Sequence, residues 1–274
     1  MRAILMHMGR KCYRHLWLLS GTGDGPVLAK ELILKGWKVS VSVVSREASS
    51  AYSQIPLQNL WVGALEGVES IRANLKKSRE SHFGFDWVID ATHPFAQVIS
   101  PNLKTVCKEF DQPLLRFERF IQTSEEAILI QSYKDLLNFN LTGERVLFAI
   151  GSKFLPEAIE YALIAGAIPF ARVLPSIQGL SKALCSKMPQ NHAAVLKPLQ
   201  GNPLGEIEAS LCKQWRITGI VARESGGPTQ ALWQKIASQQ KLNLFLISRP
   251  SPLDYICVVN TYSDLFNFLE LNNH

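Results

Sequence analysis

The feature that most constrains this chain is its first apolar run and the way it ends. Residues 15–20 read His-Leu-Trp-Leu-Leu-Ser, residues 21–26 read Gly-Thr-Gly-Asp-Gly-Pro, and a helical pattern follows over 27–36. A strand, a tight glycine turn and a helix leave the first backbone amides of that helix pointing outward with partial positive charge, which suits a phosphate. The next apolar segment, 38–44, ends in Ser45-Arg46, about 20 residues past the turn, where a dinucleotide's ribose is read. An Asp or Glu there accepts from a free 2′-hydroxyl. A hydroxyl donor and a guanidinium fit a 2′-phosphate instead, so the segment points to NADPH rather than NADH. The candidate cofactor-binding residues are Gly21, Thr22, Gly23, Asp24, Gly25, Ser45 and Arg46. Asp24 suits a helix N-terminus but repels a pyrophosphate placed beside it, so it is expected to cap the helix or contact a ribose. The glycines alone are a weak signal, because the third falls one residue early for G-x-G-x-x-G and any strand-to-helix turn benefits from glycine.

Apolar runs of strand length alternate with helical patterns along the rest of the chain, which argues for α/β units and largely parallel sheets. Strands are expected at 16–20, 38–44, 59–62, 87–90 and 113–117, with helices at 27–35, 68–78 and 95–110. Residues 119–131 read as a crossover. The second half repeats the style, with strands at 146–150, 168–172, 193–196, 217–221 and 244–247 and helices at 155–165, 203–215, 229–239 and 262–271. The expectation is two Rossmann-like open parallel-sheet domains facing a central cleft. Residues 15–130 form the NADP(H)-binding domain, 131–274 a second α/β domain that completes the substrate cleft, and 1–14 an N-terminal extension without order.

The formal net charge of +6 is spread rather than blocked. With no basic helix interleaved with aromatics, nucleic acid is not an expected partner, and the bias suits an anionic small molecule. Five cysteines, Cys12, Cys107, Cys185, Cys212 and Cys257, are scattered without a C-x-x-C pair, so neither a metal site nor a disulfide framework is indicated. No apolar stretch reaches membrane-spanning length. A reducing, cytoplasmic setting is expected.

The strand ends carry the remaining chemistry. Residues 87–96 read Trp-Val-Ile-Asp-Ala-Thr-His-Pro-Phe-Ala. Asp90, Thr92 and His93 fall at a strand's C-terminal end, with Pro94 expected to open a helix. His93 is a candidate proton donor with Asp90 as a second catalytic candidate, and Thr92 a cofactor contact; the plainer alternative has Thr92 capping and His93 packing. Arg116 and Arg119 flank Glu118, either as a carboxylate clamp or as a local ion pair. Arg172, Arg223 with Ser225-Gly226, and Arg249 stand at further strand ends. Convergent arginines favour a polyanionic ligand.

Taken together, Ser20 to Gly25, Ser45-Arg46, the Asp-Ala-Thr-His-Pro-Phe-Ala string at 90–96, Arg116 to Arg119, Ser225-Gly226-Gly227 and Arg249-Pro250 resemble the precorrin-6A reductase family of cobalamin biosynthesis. The resemblance runs from about Leu16 to the C-terminus, and the 90–96 string is its most specific element. It implies a cytosolic oxidoreductase that uses NADPH to saturate one double bond of a contracted tetrapyrrole, cobalt-free or cobalt-bound, in transient contact with other enzymes of that pathway. The substrate's acetate and propionate groups match the strand-end arginines. The chain departs from the family at Ser20 and Asp24, where Gly and Glu are usual, and at Arg223, where Lys is common. The competing readings are an NADP(H)-sensing binding protein and a reductase of another polyanion.

Overall fold

A computed structural model describes residues 14–81, 84–121, 126–251, 253–254 and 256–272. The expected extension at 1–14 and Cys12 fall outside these residues, apart from Arg14. The elements run β1 (His15–Ser20), α1 (Asp24–Leu34), β2 (Lys38–Val43), α2 (Arg46–Ser49), β3 (Asn59–Val62), α3 (Gly67–Glu80), β4 (Trp87–Ala91), α4 (Ile99–Glu109) and β5 (Leu114–Phe117). They continue with β6 (Ile128–Ile130), β7 (Arg145–Phe148), α5 (Leu155–Ile164), β8 (Ile168–Val173), α6 (Ile177–Leu184), β9 (Ala193–Val195), α7 (Glu206–Gln214) and β10 (Gly219–Arg223). The last elements are α8 (Pro228–Gln240), β11 (Asn243–Ile247), β12 (Cys257–Val259) and α9 (Tyr262–Leu271).

Two six-stranded sheets result, ordered β12-β5-β4-β1-β2-β3 and β6-β11-β10-β7-β8-β9, and every strand pair is parallel. The α/β reading with two doubly wound sheets therefore stands. Alternate residues of β1 show why the first sheet reads as an unbroken apolar run. Leu16 and Leu18 enter a core with Leu28, Leu32 and Val41, while Trp17 and Leu19 enter another with Ile71, Leu75 and Leu103. Both faces are dry, as a parallel sheet flanked by helices requires. The polar groups that share this interior are paired: Trp17 Nε1 donates to Ser42 Oγ at 2.9 Å, and His15 Nε2 lies 2.9 Å from Ser40 Oγ.

The division of the chain differs from the expected one. One compact unit comprises the chain up to Phe120 together with the segment from Pro250 onward; the other spans Ile121–Arg249. The C-terminal segment returns because β12 hydrogen-bonds along β5, with Val258 opposite Arg116, and α9 sinks Leu265 and Leu269 into the first core. Each sheet thus takes its sixth strand from beyond its own five. β6 follows β5 in the chain but pairs with β11, and β12 follows β11 but pairs with β5. Neither β6, within the stretch read as a crossover, nor β12 was expected, although the equally short β9 was. The expected helix at 95–110 starts later, at Ile99, since Ala96 N donates to His93 O and closes a turn that holds Pro94 and Phe95. The short α2 and the eight-residue α6 were also unexpected. Among the described residues, no helix is long and apolar enough to cross a membrane.

Because α9 belongs to the first core, Leu265→Ala is expected to destabilise that unit by about 2–5 kcal/mol, the usual cost of emptying a buried leucine site. Urea unfolding followed by tryptophan fluorescence measures it. A loss under about 0.5 kcal/mol, typical of a surface position, would mean that α9 is not packed there.

Candidate functional site

In the first unit the strand order reverses between β1 and β4, the point where open α/β sheets bind their ligands at strand C-termini. The glycine turn after β1 lies there, packed on the segment after β4. Gly21 N donates to Ala91 O at 3.3 Å, and a Cβ at position 21 would stand 2.9 Å from His93 N. Gly25 is equally confined: a Cβ there would lie 1.8 Å from Ser20 Oγ and 2.1 Å from Tyr52 Oη. Burial pushes the Tyr52 hydroxyl up to about 12. Gly23 is different. It occupies the N-cap of α1 with helical dihedrals, and a Cβ there would meet nothing within 4 Å. Thr22 already engages the first amides of α1, Asp24 N through its Oγ1 at 3.2 Å and Gly25 N through its carbonyl at 3.3 Å, and Pro26 has no N–H, so the turn is open to a ligand at Gly23 itself.

Asp24 does not face a ligand. Its side chain is buried, and the carboxylate accepts from Arg119 Nε at 2.8 Å, from Arg119 Nη2, from Tyr262 Oη at 2.8 Å and from Thr22 Oγ1 at 3.0 Å. This overturns two expectations at once, a ribose contact for Asp24 and a substrate clamp for Arg119. The pair instead fastens the glycine turn to the end of β5 and to α9. Tyr262 was not singled out from sequence. Its ring stacks on Phe117 at 5.3 Å, and burial together with the Asp24 carboxylate raises its hydroxyl to about 12.

Asp90 and Arg116 are likewise inward. Asp90 is completely buried and accepts from Thr92 N at 3.0 Å, Thr92 Oγ1 at 2.6 Å and Ser100 Oγ at 2.6 Å, with Arg116 Nη1 at 2.8 Å. Arg116 also donates to Glu118 at 3.0 Å and reaches Thr92 Oγ1 and Ser100 Oγ. A carboxylate with four partners has no capacity left for catalysis. Asp90 is corrected from a catalytic to a positioning residue, Thr92 is committed to the same network, and Arg116 is an internal ion pair rather than a clamp. Beside this network lies a cavity of about 240 Å³, lined in part by Pro94, Gln97, Ser100, Arg116, Glu118 and Val258. His93, half-buried, accepts from Phe95 N at Nδ1, 3.2 Å away. That bond uses the Nδ1 lone pair, which leaves Nε2 as the ring's donor.

At the end of β2, Ser45 caps α2 by accepting from Ala48 N at 3.2 Å. Arg46 is exposed and forms no ion pair among the described residues; its charge and the Ser45 hydroxyl both lower the neighbouring Glu47 carboxyl, after that residue's own backbone amide.

The second unit repeats the plan. Its order reverses between β7 and β10, and Gly151, with φ +79°, follows β7. Gly226 N donates to the buried Gln230 side chain at 2.7 Å, so the Ser225-Gly226 turn is closed from within. Arg249 donates through its backbone N to Glu224 Oε2 at 3.0 Å and through Nε to Glu224 O at 3.2 Å, a staple between strand ends rather than the expected substrate contact. Arg223 Nη2 lies against Gly151, 3.1 Å from where a Cβ would be. Burial lowers the pKa of both Arg172 and Arg223 from the ordinary arginine value.

Comparison with known proteins bears on this arrangement. Residues 15–270 match the family model described as precorrin-6x reductase CbiJ/CobK. A cobalt-precorrin-6A reductase of Synechocystis is 30% identical over 245 residues, covering 87% of this chain and 89% of that protein. A precorrin-6A reductase of Mycobacterium tuberculosis is 29% identical, covering 85% and 88%. The solved structure titled CobK precorrin-6A reductase shares the fold, with a TM-score of 0.74, 23% identity and coverage of 94% and 97%. With its two doubly wound sheets and a family match that spans both, the chain belongs to the precorrin-6x reductase CbiJ/CobK family.

Proposed function

We propose that this chain is an NADPH-dependent reductase of precorrin-6A or its cobalt complex, saturating one double bond of the contracted tetrapyrrole. The observation that carries the cofactor reading is the pairing of an open glycine turn at Gly23 with an exposed guanidinium at Arg46. The first would receive the pyrophosphate and the second the 2′-phosphate. Neutralisation of Asp24 by Arg119 removes the repulsion that its carboxylate would otherwise exert on that pyrophosphate. When bound, the reduced nicotinamide supplies the hydride.

The protein's own share is binding, orientation and charge. Gly21 gives the turn its close approach to the segment after β4. The network of Asp90, Thr92, Ser100 and Arg116 holds that segment, and with it His93, in place. His93 offers an Nε2–H, which suits hydrogen bonding to an acceptor better than release of a proton, because imidazolium would put a second N–H against Phe95 N. The proton donor first expected at His93 is accordingly recast as an orienting donor. The acid side chains of the substrate call for cations, and Arg172 and Arg223 are what the strand ends of the second unit contribute.

Three outcomes test this reading. Arg46→Ala should weaken NADPH binding by roughly 1.5–3 kcal/mol, the range for a charged hydrogen bond, and leave NADH nearly unchanged in calorimetric titration; equal losses would remove the 2′-phosphate assignment. Gly23→Ala should fold with a stability change within about 0.5 kcal/mol, having room for its methyl group, yet lose about tenfold in NADPH affinity, roughly the worth of one backbone contact. Normal affinity would move the pyrophosphate elsewhere. For His93→Ala, kcat should fall about tenfold, as for one lost hydrogen bond, with the pH profile of kcat/KM keeping its shape. Loss of a limb near neutrality in that variant would restore His93 as the proton donor.

A further inference from the structure

Arg172 is the least satisfied charged group in the second unit. Its side chain is 5% exposed, and both Nε and Nη2 are shielded from solvent without a hydrogen-bond partner. These two nitrogens form one edge of the guanidinium plane, and their N–H bonds are parallel. That edge matches the two oxygens of a carboxylate in a bidentate pair, a geometry that a lysine cannot reproduce. Neutral donors so placed would be costly; a charged fork more so.

The surroundings do not already supply that carboxylate. The acidic group whose charge is felt at Arg172 is Glu208 on α7, and the two form no ion pair. Glu208 is completely buried; its Oε1 accepts from Leu199 N at 2.7 Å, and its Oε2 is left without a hydrogen bond, a competing acceptor on that side of the guanidinium. On the other side stands a second cation. Arg172 leaves β8 on the sheet face covered by α7 and α8, together with Phe170, whereas Arg223 leaves β10 on the opposite face and bends over the end of β7 to Gly151. Arg172, at the end of β8, feels the charge of Arg223, at the end of β10. Two cations thus stand at the C-terminal rim of the sheet, beside the switch point between β7 and β10, which suits an anion.

We propose that Arg172, backed by Arg223, is a carboxylate-binding site within the second unit, taking one planar acid group through its Nε and Nη2 edge. The identity of the acid as a side chain of the tetrapyrrole rests on the reductase reading above; the site itself does not. A substrate bearing many acids would be fixed in register by the one that enters this fork, since a dry bidentate pair discriminates against an ester or amide far more than a solvated lysine does.

The experiment is calorimetric titration of the full chain at constant ionic strength with tricarballylate, with inorganic phosphate in parallel and NADPH as the control ligand. The unsubstituted protein should bind tricarballylate in preference to phosphate. Arg172→Lys and Arg172→Gln should each lose at least tenfold in tricarballylate affinity while their NADPH affinity is unchanged. Glu208→Gln should bind the acid more tightly, having lost a competing carboxylate. Retained affinity in Arg172→Lys would overturn the fork. A preference for phosphate would overturn the carboxylate assignment, and a Glu208→Gln protein that loses acid binding would make Arg172 a structural partner of Glu208. If NADPH fails to bind while the acid series behaves as expected, the reductase reading falls and the site stands.

Discussion

The Asp24 carboxylate is the point on which the first unit turns. It sits in the first turn of α1, beside the glycine turn that a phosphate would meet, and it is buried. Left alone it would be a desolvated charge that both destabilises the fold and repels the ligand. Arg119 from the end of β5 and Tyr262 from α9 meet it, so three distant stretches of chain converge on one group. Breaking such a pair by removing one partner typically costs about 3–5 kcal/mol, because the remaining charge stays buried. The same contact that stabilises the turn also makes it electrostatically acceptable to a pyrophosphate. Stability and binding are here two readings of a single neutralised charge.

That convergence explains why the chain returns at Pro250. The end of β5 needs a neighbour to complete its hydrogen bonds, and β12 supplies it, with Glu118 N donating to Val259 O at 2.9 Å. Once β12 is in place, Tyr262 follows within a few residues at the start of α9, within reach of Asp24. The exchanged sixth strands therefore have a chemical consequence in the first unit: the segment that follows the second sheet completes the binding turn of the first. A parallel pair requires a long crossover, and here the crossover is an entire second sheet.

The sequence makes the five central strands of each sheet legible because they are apolar, of ordinary length and punctuated by glycine or proline, as at Gly21, Gly36 and Gly166. β6 escapes because it lies in the stretch read as a crossover, β12 was not assigned although the equally short β9 was, and α2 escapes because a four-residue helix has no face to bury. The site was legible in location more than in role. Strand-end residues did gather at the C-terminal ends of their sheets, but sequence cannot say which charges find partners. Arg116 and Arg119 looked like ligand contacts and proved to be counterions of Asp90 and Asp24. Glu118 carried the warning for Arg116, since an arginine near an acidic residue in sequence is often already spoken for; Asp24, 95 residues from Arg119, gave none. Tyr262 carried none, being brought to Asp24 by topology alone.

The contrast among the arginines follows from how each charge is balanced. Arg116 lies between two carboxylates, Arg119 meets one, and Arg249 takes backbone and side-chain oxygens of Glu224. For Arg116 and Arg119 these are internal solutions to burial, while the Arg249 bonds do not reach its buried Nη2. Arg172 has the burial without the solution, and its nearest acid is held to Leu199 by a separate bond. A folded chain tolerates such a group only when the rest of the unit is stable enough to carry it, and in proteins that surplus strain gathers where a ligand relieves it. The second unit has that surplus in the cores on either side of β7, with Phe148, Phe170, Ile220 and Trp233 all but fully buried. An unpaired charge held by so rigid a frame cannot relax toward solvent, so its binding energy is preserved for whatever acid arrives.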